Sequence, residues 1–312
     1  MKIVEINEVT KKFDKTIAVD RLTLSIEKGQ IFGLLGPNGA GKSTAISILC
    51  GLIKKTSGNV TIFGEQQGQD GLRIKSKIGL VPQEISLYNE LSALENVKFF
   101  AGLYGLRGAE LDKAANEALS FVGLTDKAKG RPEAFSGGMK RRLNIACAIA
   151  HRPELIIMDE PTVGIDPQSR NYILRSIKKL NENGATIIYT SHYMEEVEEI
   201  CDYIAIIDHG KVIAEGTEEQ LISLVTDVKE MEIIVDQDAS VTTKDIEGVS
   251  GVQAVTWNGT NSLHITSSSE VNTLNSILAI LLQHKIDILE INQETLNLET
   301  VFLNLTGRKL RD

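Results

Sequence analysis

One run constrains this chain more than any other: Gly36-Pro37-Asn38-Gly39-Ala40-Gly41-Lys42-Ser43-Thr44. It satisfies GxxxxGK(S/T) in full and lies between a short apolar strand pattern, Gln30–Leu35, and a helical pattern over Thr44–Leu52. Glycines at this spacing let consecutive backbone N–H groups turn inward as an anion nest. A helix opening at Lys42 adds the positive end of its dipole. The lysine of such a loop reaches the β- and γ-phosphates of a nucleotide, and the hydroxyl of Ser43 ligates Mg²⁺. An ordinary glycine-rich turn has no need of the strand, the lysine and the serine together.

A second segment supplies carboxylates. Leu155-Ile156-Ile157-Met158 has the continuous apolar character of a buried strand, and it ends in Asp159 and Glu160. Ligands of open α/β sheets bind at the C-terminal ends of the strands. Asp159 can hold Mg²⁺ there through water, and Glu160, on the next pleat, can polarise a water aimed at a γ-phosphate. Alone, an acidic strand end is commonplace. Beside the phosphate loop it makes the core of a P-loop nucleoside triphosphatase.

The rest of the pattern fits an α/β nucleotide-binding core. Lys2–Val9 and Leu22–Ile26 read as paired strands, with further strands at Gly58–Phe63 and Ile78–Val81. Ala185–Thr190 and Tyr203–Asp208 are continuous apolar runs of buried-strand type, with helical stretches between them. Over about 88–150 the period turns helical, starting at a capping box, Ser92 to Glu95. The tail has its own order: strand Glu232–Val235, helix Thr242–Glu247, and a hairpin of Val252–Trp257 and Leu263–Thr266 about Asn258-Gly259. A helix with Val271, Leu274, Ile277, Leu278, Leu281 and Leu282 on one face follows. Strand Ile286–Ile291 and a last helix stopped by Gly307 complete it. The expected organisation is a core over 1–225 and an accessory α+β domain over 228–312, in a βαββαβα order that suggests a ferredoxin-like unit.

Phe135-Ser136-Gly137-Gly138-Met139-Lys140-Arg141-Arg142-Leu143 narrows the class. It is a second glycine-rich helix start and resembles the signature of ATP-binding-cassette proteins, commonly LSGGQ. Physically, Ser136 and the N–H groups near Gly138 can hold another phosphate. Met139 stands where Gln is usual and Phe135 where Leu is usual, while Ser136 and Gly138, which carry the phosphate chemistry, match. The resemblance extends in order along the chain. Gln83 matches the Q-loop residue, touching Mg²⁺ and the attacking water, and Gly164-Ile165-Asp166-Pro167 matches the D-loop at a dimer seam. His192 matches the switch histidine, and Phe13 the aromatic residue that stacks on adenine. SGGMKRRL and the closing run Leu298–Arg308 are similar to ATPases of ABC-2 type drug and antibiotic exporters (daunorubicin-resistance-like).

That resemblance implies a fold, an activity and partners. The fold is a P-loop cassette with a mixed sheet and a helical subdomain, and the activity is hydrolysis of ATP with Mg²⁺. ATP is held by Lys42, Ser43, Thr44 and the loop N–H groups of one copy, and closed over by Ser136, Gly137 and Gly138 of a second in a head-to-tail homodimer. The partner is a separate integral-membrane permease of ABC-2 type exporting a hydrophobic drug or lipid-like compound, with no cargo contact by this subunit. The expected location is cytoplasmic, peripheral on the inner face of the membrane.

Composition limits the rivals. The 312 residues carry 33 Lys+Arg against 42 Asp+Glu, a net charge of −9. Residues 228–312 hold 12 acids and 6 bases, hence −6, which leaves −3 for the first 227. An acidic chain lacks the broad footprint of a nucleic-acid binder. Lys140-Arg141-Arg142 reads instead as a solvated helix face. Cys50, Cys147 and Cys201 have no metal or disulfide spacing and read as buried thiols. A cassette ATPase of translation or DNA maintenance would carry two cassettes in tandem or a long coiled coil. A non-hydrolysing regulatory binder would lack Glu160 or His192.

Overall fold

The computed structural model describes residues 1–68, 71–224, 228–236, 242–259, 261–268, 271–293 and 297–306. Two long strands open the chain, β1 (Lys2–Phe13) and β2 (Thr16–Glu27), then β3 (Ile31–Leu35) and helix α1 (Lys42–Leu49). Strands β4 (Ser57–Ile62) and β5 (Glu65–Gln66), helix α2 (Gly71–Lys75) and strand β6 (Ile78–Val81) come next. A helical stretch follows: α3 (Ala93–Leu103), α4 (Gly108–Phe121) and α5 (Gly137–Ile149). The chain then alternates through β7 (Leu155–Asp159), α6 (Pro167–Glu182), β8 (Thr186–Ser191), α7 (Met194–Ile200) and β9 (Tyr203–Asp208). Strand β10 (Lys211–Gly216) and helix α8 (Glu218–Ser223) follow.

The central sheet has the order β10-β9-β3-β8-β7-β6; β9 through β6 run parallel and β10 is antiparallel to β9. Every residue of β3, β7 and β8 is buried, which is why these segments are continuous apolar runs rather than alternating ones. A second, antiparallel sheet, β2-β1-β4-β5, packs Val4, Ile6, Val60 and Ile62 into a common core with Phe32, Leu34, Ile48, Ile188 and Ile207. The parallel register sets Leu35 beside Ser191 and Asp159 beside Thr190. The ends of β3, β7 and β8 therefore release Gly36, Glu160 and His192 at one edge of the sheet.

The capping box at α3 forms as the sequence predicts. The Ser92 hydroxyl accepts from the Glu95 N–H, and the Glu95 carboxylate accepts from the Ser92 N–H. The basic run at the start of α5 departs from expectation. It is no solvated face: Arg141 is only 3% exposed, and Arg142 is half-buried with its guanidinium over the Tyr172 ring. Both guanidinium groups find main-chain carbonyl acceptors, which makes their burial tolerable.

A second compact unit begins at Glu219. It holds β11 (Val228–Val235), α9 (Thr243–Glu247), β12 (Val252–Asn258), β13 (Ser262–Ser268), α10 (Leu274–Gln283), β14 (Ile288–Gln293) and α11 (Leu298–Thr306). Its sheet has the order β12-β13-β11-β14 with every pair antiparallel, around a core of Met231, Ile233, Leu263, Ile265, Ile277 and Leu281. Three details differ from the sequence reading. Val271 precedes helix α10, Leu282 is exposed while Ile280 packs inward, and the last strand starts at Ile288. Gly307 and Arg308 lie outside the described residues. Among the described residues no helix is long and apolar enough to cross a membrane.

Candidate active site

The phosphate loop is shaped by its glycines. Gly39 and Gly41 take φ of 82° and 106°, in the left-handed region open to glycine. At Gly36 space decides instead, because a Cβ there would collide with the Ile207 carbonyl of β9, as one at Gly41 would with that of Ala18. The loop thus beds directly on backbone. Lys42 is buried and donates from Nζ to the carbonyls of Gly36 at 2.7 Å and Pro37 at 3.2 Å. A cleft of about 220 Å³ opens here. Pro37, Asn38, Gly39, Gly41, Lys42, Ser43 and Thr44 line it, with Ala18, Gln83 and Glu160.

Glu160 is the meeting point. Its Oε1 lies 3.1 Å from Lys42 Nζ, and its Oε2 accepts from Gln83 Nε2 at 3.2 Å. The same Oε2 is 3.3 Å from His192 Nδ1, without the alignment of a hydrogen bond. Three residues separated by up to 150 positions converge on one buried carboxylate. Glu160 is held there by an unusual turn: φ is 46°, and its N–H donates to Thr190 Oγ1 at 2.9 Å. A positive φ in a non-glycine residue is strained, and it persists where the surroundings hold it. The Thr190 hydroxyl in turn donates to Asp159 Oδ1 at 2.6 Å, fixing the neighbouring carboxylate.

The donor set suits Mg²⁺ shared with phosphates. Among the described residues there is no cluster of three His, Cys, Asp or Glu side chains that could hold a metal alone. What the cleft offers is the Ser43 hydroxyl and Gln83; Asp159, next in sequence to Glu160, is buried and does not line it. The amide nitrogen of Gln83 is the end turned to Glu160, leaving its oxygen for other partners. Mg²⁺ prefers hard oxygen donors and usually takes few from the protein and the rest from phosphate and water.

The signature residues line a different cleft, of about 580 Å³, with Ser136, Met139, Asp166 and Ser169 in its wall. Ser136 caps α5 by accepting from the Met139 N–H at 3.2 Å, and Asp166 caps α6 by accepting from the Ser169 N–H at 2.9 Å. Gly138 must be glycine for packing, since a Cβ would collide with the Ser169 side chain; Gly137 has only Ile165 near it. Phe13 stands at the end of β1, 45% exposed, with Lys11 Nζ 4.5 Å over its ring, and is not part of the phosphate-loop cleft. One chain therefore presents two separate glycine-rich helix starts, at Lys42 and at Gly137.

Sequence reasoning missed the supports. Thr190 carries no motif of its own, although its place just before His192 on a buried strand is a weak signal. Ala18 and Gly210 pass unnoticed, yet a Cβ on Gly210 would collide with the Ala18 carbonyl, so the loop's floor depends on both. Arg141 was hidden by its basic neighbours.

This arrangement, a sheet edge gathering phosphate loop, carboxylates and histidine plus a helical insertion with its own glycine-rich start, defines a P-loop ATPase of the cassette type. Comparison with known proteins agrees. The family model described as "ABC transporter" matches residues 19–163. The linearmycin resistance ATP-binding protein LnrL of Bacillus subtilis strain 168 is 47% identical over 311 residues, covering 99% of this chain and 100% of that protein. The Nod factor export ATP-binding protein I of Cupriavidus pinatubonensis is 36% identical over 310 residues, covering 99% and 92%. Among solved structures, an ATP-binding subunit of an ABC transporter superposes with a TM-score of 0.65 at 29% identity, covering 71% of this chain and 92% of that one. A dimeric ATP-binding cassette in a post-hydrolysis state with ADP and Pi gives 0.63 at 32% identity, covering 69% and 98%. The chain belongs to the ATP-binding-cassette transporter family, as an ATP-binding subunit with the family's ATPase domain.

Proposed function

We propose that this chain energises export of a hydrophobic drug, antibiotic or lipid-like compound through a separate ABC-2 type permease, working as a head-to-tail homodimer at the inner face of the membrane. The observation that carries the hydrolytic part is the convergence of Lys42, Gln83 and His192 on Glu160. The export part is supported by similarity over nearly the whole chain to a linearmycin resistance protein and a Nod factor export protein.

ATP binds with its phosphates on the loop N–H groups, Lys42, Ser43 and Thr44, and its adenine against Phe13. Ser43, Gln83 and Asp159 would hold Mg²⁺, which would supply positive charge at the phosphate oxygens. Lys42 is released from Glu160 to the γ-phosphate, which frees the carboxylate to accept a proton from the attacking water. His192 and Gln83 orient that water and the phosphate for in-line attack. Ser136 and Gly138 of each copy close on the other's nucleotide beside Asp166. Without nucleotide the facing helix starts are both positive ends, so closure depends on the anionic ligand and is a ligand-driven shift in population. The permease meets the helical insertion near Gln83, where Tyr88 and Phe99 are exposed and stacked edge to face at 4.7 Å. The C-terminal unit, whose strand order β12-β13-β11-β14 supports a ferredoxin-like reading, serves as an accessory to this cassette, which spans 1–225 with its helical subdomain at about 88–150.

Purified Glu160→Gln is expected to keep ATP affinity, lose at least ~10²-fold in turnover, as loss of a general base does, and form a dimer in saturating ATP. Lys42→Ala is expected to lose ATP binding. An unchanged rate in Glu160→Gln removes that residue from its role, and a strictly monomeric ATP-saturated protein, with or without its permease, ends the sandwich reading. Recovery with ribosomes or DNA rather than with an integral-membrane protein ends the export reading.

A further inference from the structure

Behind the hydrolytic residues lies a buried acid that takes no part in the chemistry above. Glu196, in α7, is 1% exposed. Its Oε2 accepts three hydroxyl hydrogen bonds, from Tyr189 at 2.7 Å, Thr162 at 2.8 Å and Ser191 at 3.0 Å. The donors come from the segments that matter: Thr162 follows Glu160 by two residues, Ser191 immediately precedes His192, and Tyr189 lies on the same strand. The Ser191 hydroxyl also accepts from the Tyr193 N–H at 2.9 Å, so it grips the backbone on the far side of His192. The other oxygen, Oε1, is buried without a hydrogen-bond partner, and Arg170 Nε, 3.9 Å away on α6, is likewise without one.

Three O–H donors on one oxygen are what an ionised carboxylate attracts, because charge-assisted bonds are about twice as strong as neutral ones. A buried acid with one oxygen that lacks a hydrogen bond is poor material for stability, since a well-packed apolar side chain does as well or better. Nor is it a ligand subsite, as Thr162, Tyr189, Ser191 and Glu196 are all buried. What the cluster does is join the loop after β7 to the end of β8 from below. We infer that Glu196 is a positioning residue for hydrolysis: its single carboxylate oxygen ties the Glu160 loop to the His192 segment and so fixes the separation of those two side chains across the cleft. The inference rests on the proposed roles of Glu160 and His192. It also predicts a division of effects. None of the residues in the cluster lines the phosphate-loop cleft, so turnover depends on the cluster and ATP affinity does not.

The test uses the full-length protein in two forms. Glu196→Gln removes the charge, and Thr162→Val with Ser191→Ala removes two donors while leaving the charge in place. Steady-state ATPase rates, ATP affinity by direct binding and thermal melting are measured on each. Both forms are expected to lose about tenfold or more in kcat, as misplacement of reacting groups by about 1 Å can cost 10²-fold, with ATP Kd within about twofold of the parent. A folded Glu196→Gln protein, or a folded double variant, that turns over at the parent rate overturns the inference. So does a loss of affinity in step with the loss of rate, the signature of a cluster that merely holds the domain together. Glu160→Gln run alongside separates the two layers. If it too hydrolyses normally, the reading beneath has failed, and if it is inactive while the Glu196 forms are not, only the positioning role has.

Discussion

At the scale of single residues, burial sets what each titratable group can do. His151 is stacked on Tyr104 with ring centroids 3.5 Å apart, and its Nε2 meets the Ile78 carbonyl at 3.1 Å. A carbonyl only accepts, so Nε2 carries the proton and the buried, unpartnered Nδ1 must stay bare. Burial holds the ring neutral and brings its pKa from 6.5 down to about 4, against the weaker opposing effect of the Ile78 bond. The folded-state value lies below the unfolded one, so protonation favours unfolding. The contribution of the neutral ring is complete above the unfolded pKa and is lost as pH falls toward about 4. Thermal melts from pH 7.5 downward are expected to show a steeper fall for the parent than for His151→Phe, which keeps the stack but has no proton to gain. Parallel curves would show that His151 does not contribute to the acid limb. The phosphate loop was legible at this scale because glycine spacing and a lysine are distinctive. Thr162, Thr190, Ser191 and Glu196 were not, because each is an ordinary residue whose partner is 5 to 34 positions away.

At the scale of elements, the strands were legible and the clamps between elements were not. Apolar runs at 155–159 and 203–208 mark β7 and β9 to the residue, since burial on both faces leaves β7 and the middle of β9 continuously apolar. The β1–β2 pair extends beyond the Lys2–Val9 and Leu22–Ile26 that the sequence marks, because Thr10–Phe13 and Thr16–Arg21 are exposed or half-buried except at Val19, carry charge and show no apolar alternation. The unread clamp joins α5 to the segment after β6. Arg141 donates from one terminal nitrogen to the Pro82 carbonyl at 2.7 Å and from the other to the Gln83 carbonyl at 2.5 Å, and Asn144 accepts from the Ser86 N–H at 2.8 Å. Asn96, fully buried on α3, holds Tyr88 by both its N–H and its carbonyl. Gln83 is therefore held by α5, the helix that starts after Ser136, and not only by the strand it follows. Arg141→Met should leave two carbonyls unpaired at a cost of about 1–3 kcal/mol each. Hydrogen exchange at 83–86 is expected to quicken about tenfold or more, the equivalent of some 1.4 kcal/mol, with β6 unchanged. Lys at this position should not restore protection, because an ammonium cannot fork to two carbonyls in a fixed plane. Unaltered exchange in Arg141→Met would mean that the segment is held from elsewhere.

At the scale of the molecule, the two units have separate cores. The residues packed around Phe32, Ile48 and Ile207 share no member with those around Ile233, Leu263 and Ile277. All residues of the phosphate-loop cleft, and Ser136, Asp166 and His192, fall in the unit that ends at Glu218. A unit with its own core and a complete site has what independent folding needs. Residues 228–312 carry −6 of the net −9, and Leu289 and Ile291 of β14 stay exposed, so among the described residues this part of the chain adds charge and an apolar strand edge but no residue of either cleft. A chain ending at Leu224 is therefore expected to fold, to melt in one cooperative step, and to bind ATP within about threefold of the full-length Kd, a difference of under ~1 kcal/mol. Because the proposed ATP-driven closure uses Ser136, Gly138, Asp166 and the phosphate loop, the shortened Glu160→Gln protein should still dimerise in ATP. Binding that vanishes on truncation while the shortened chain remains folded would place part of the nucleotide site in the second unit. Binding that survives while ATP-dependent dimerisation is lost would instead make that unit the element that holds two copies together.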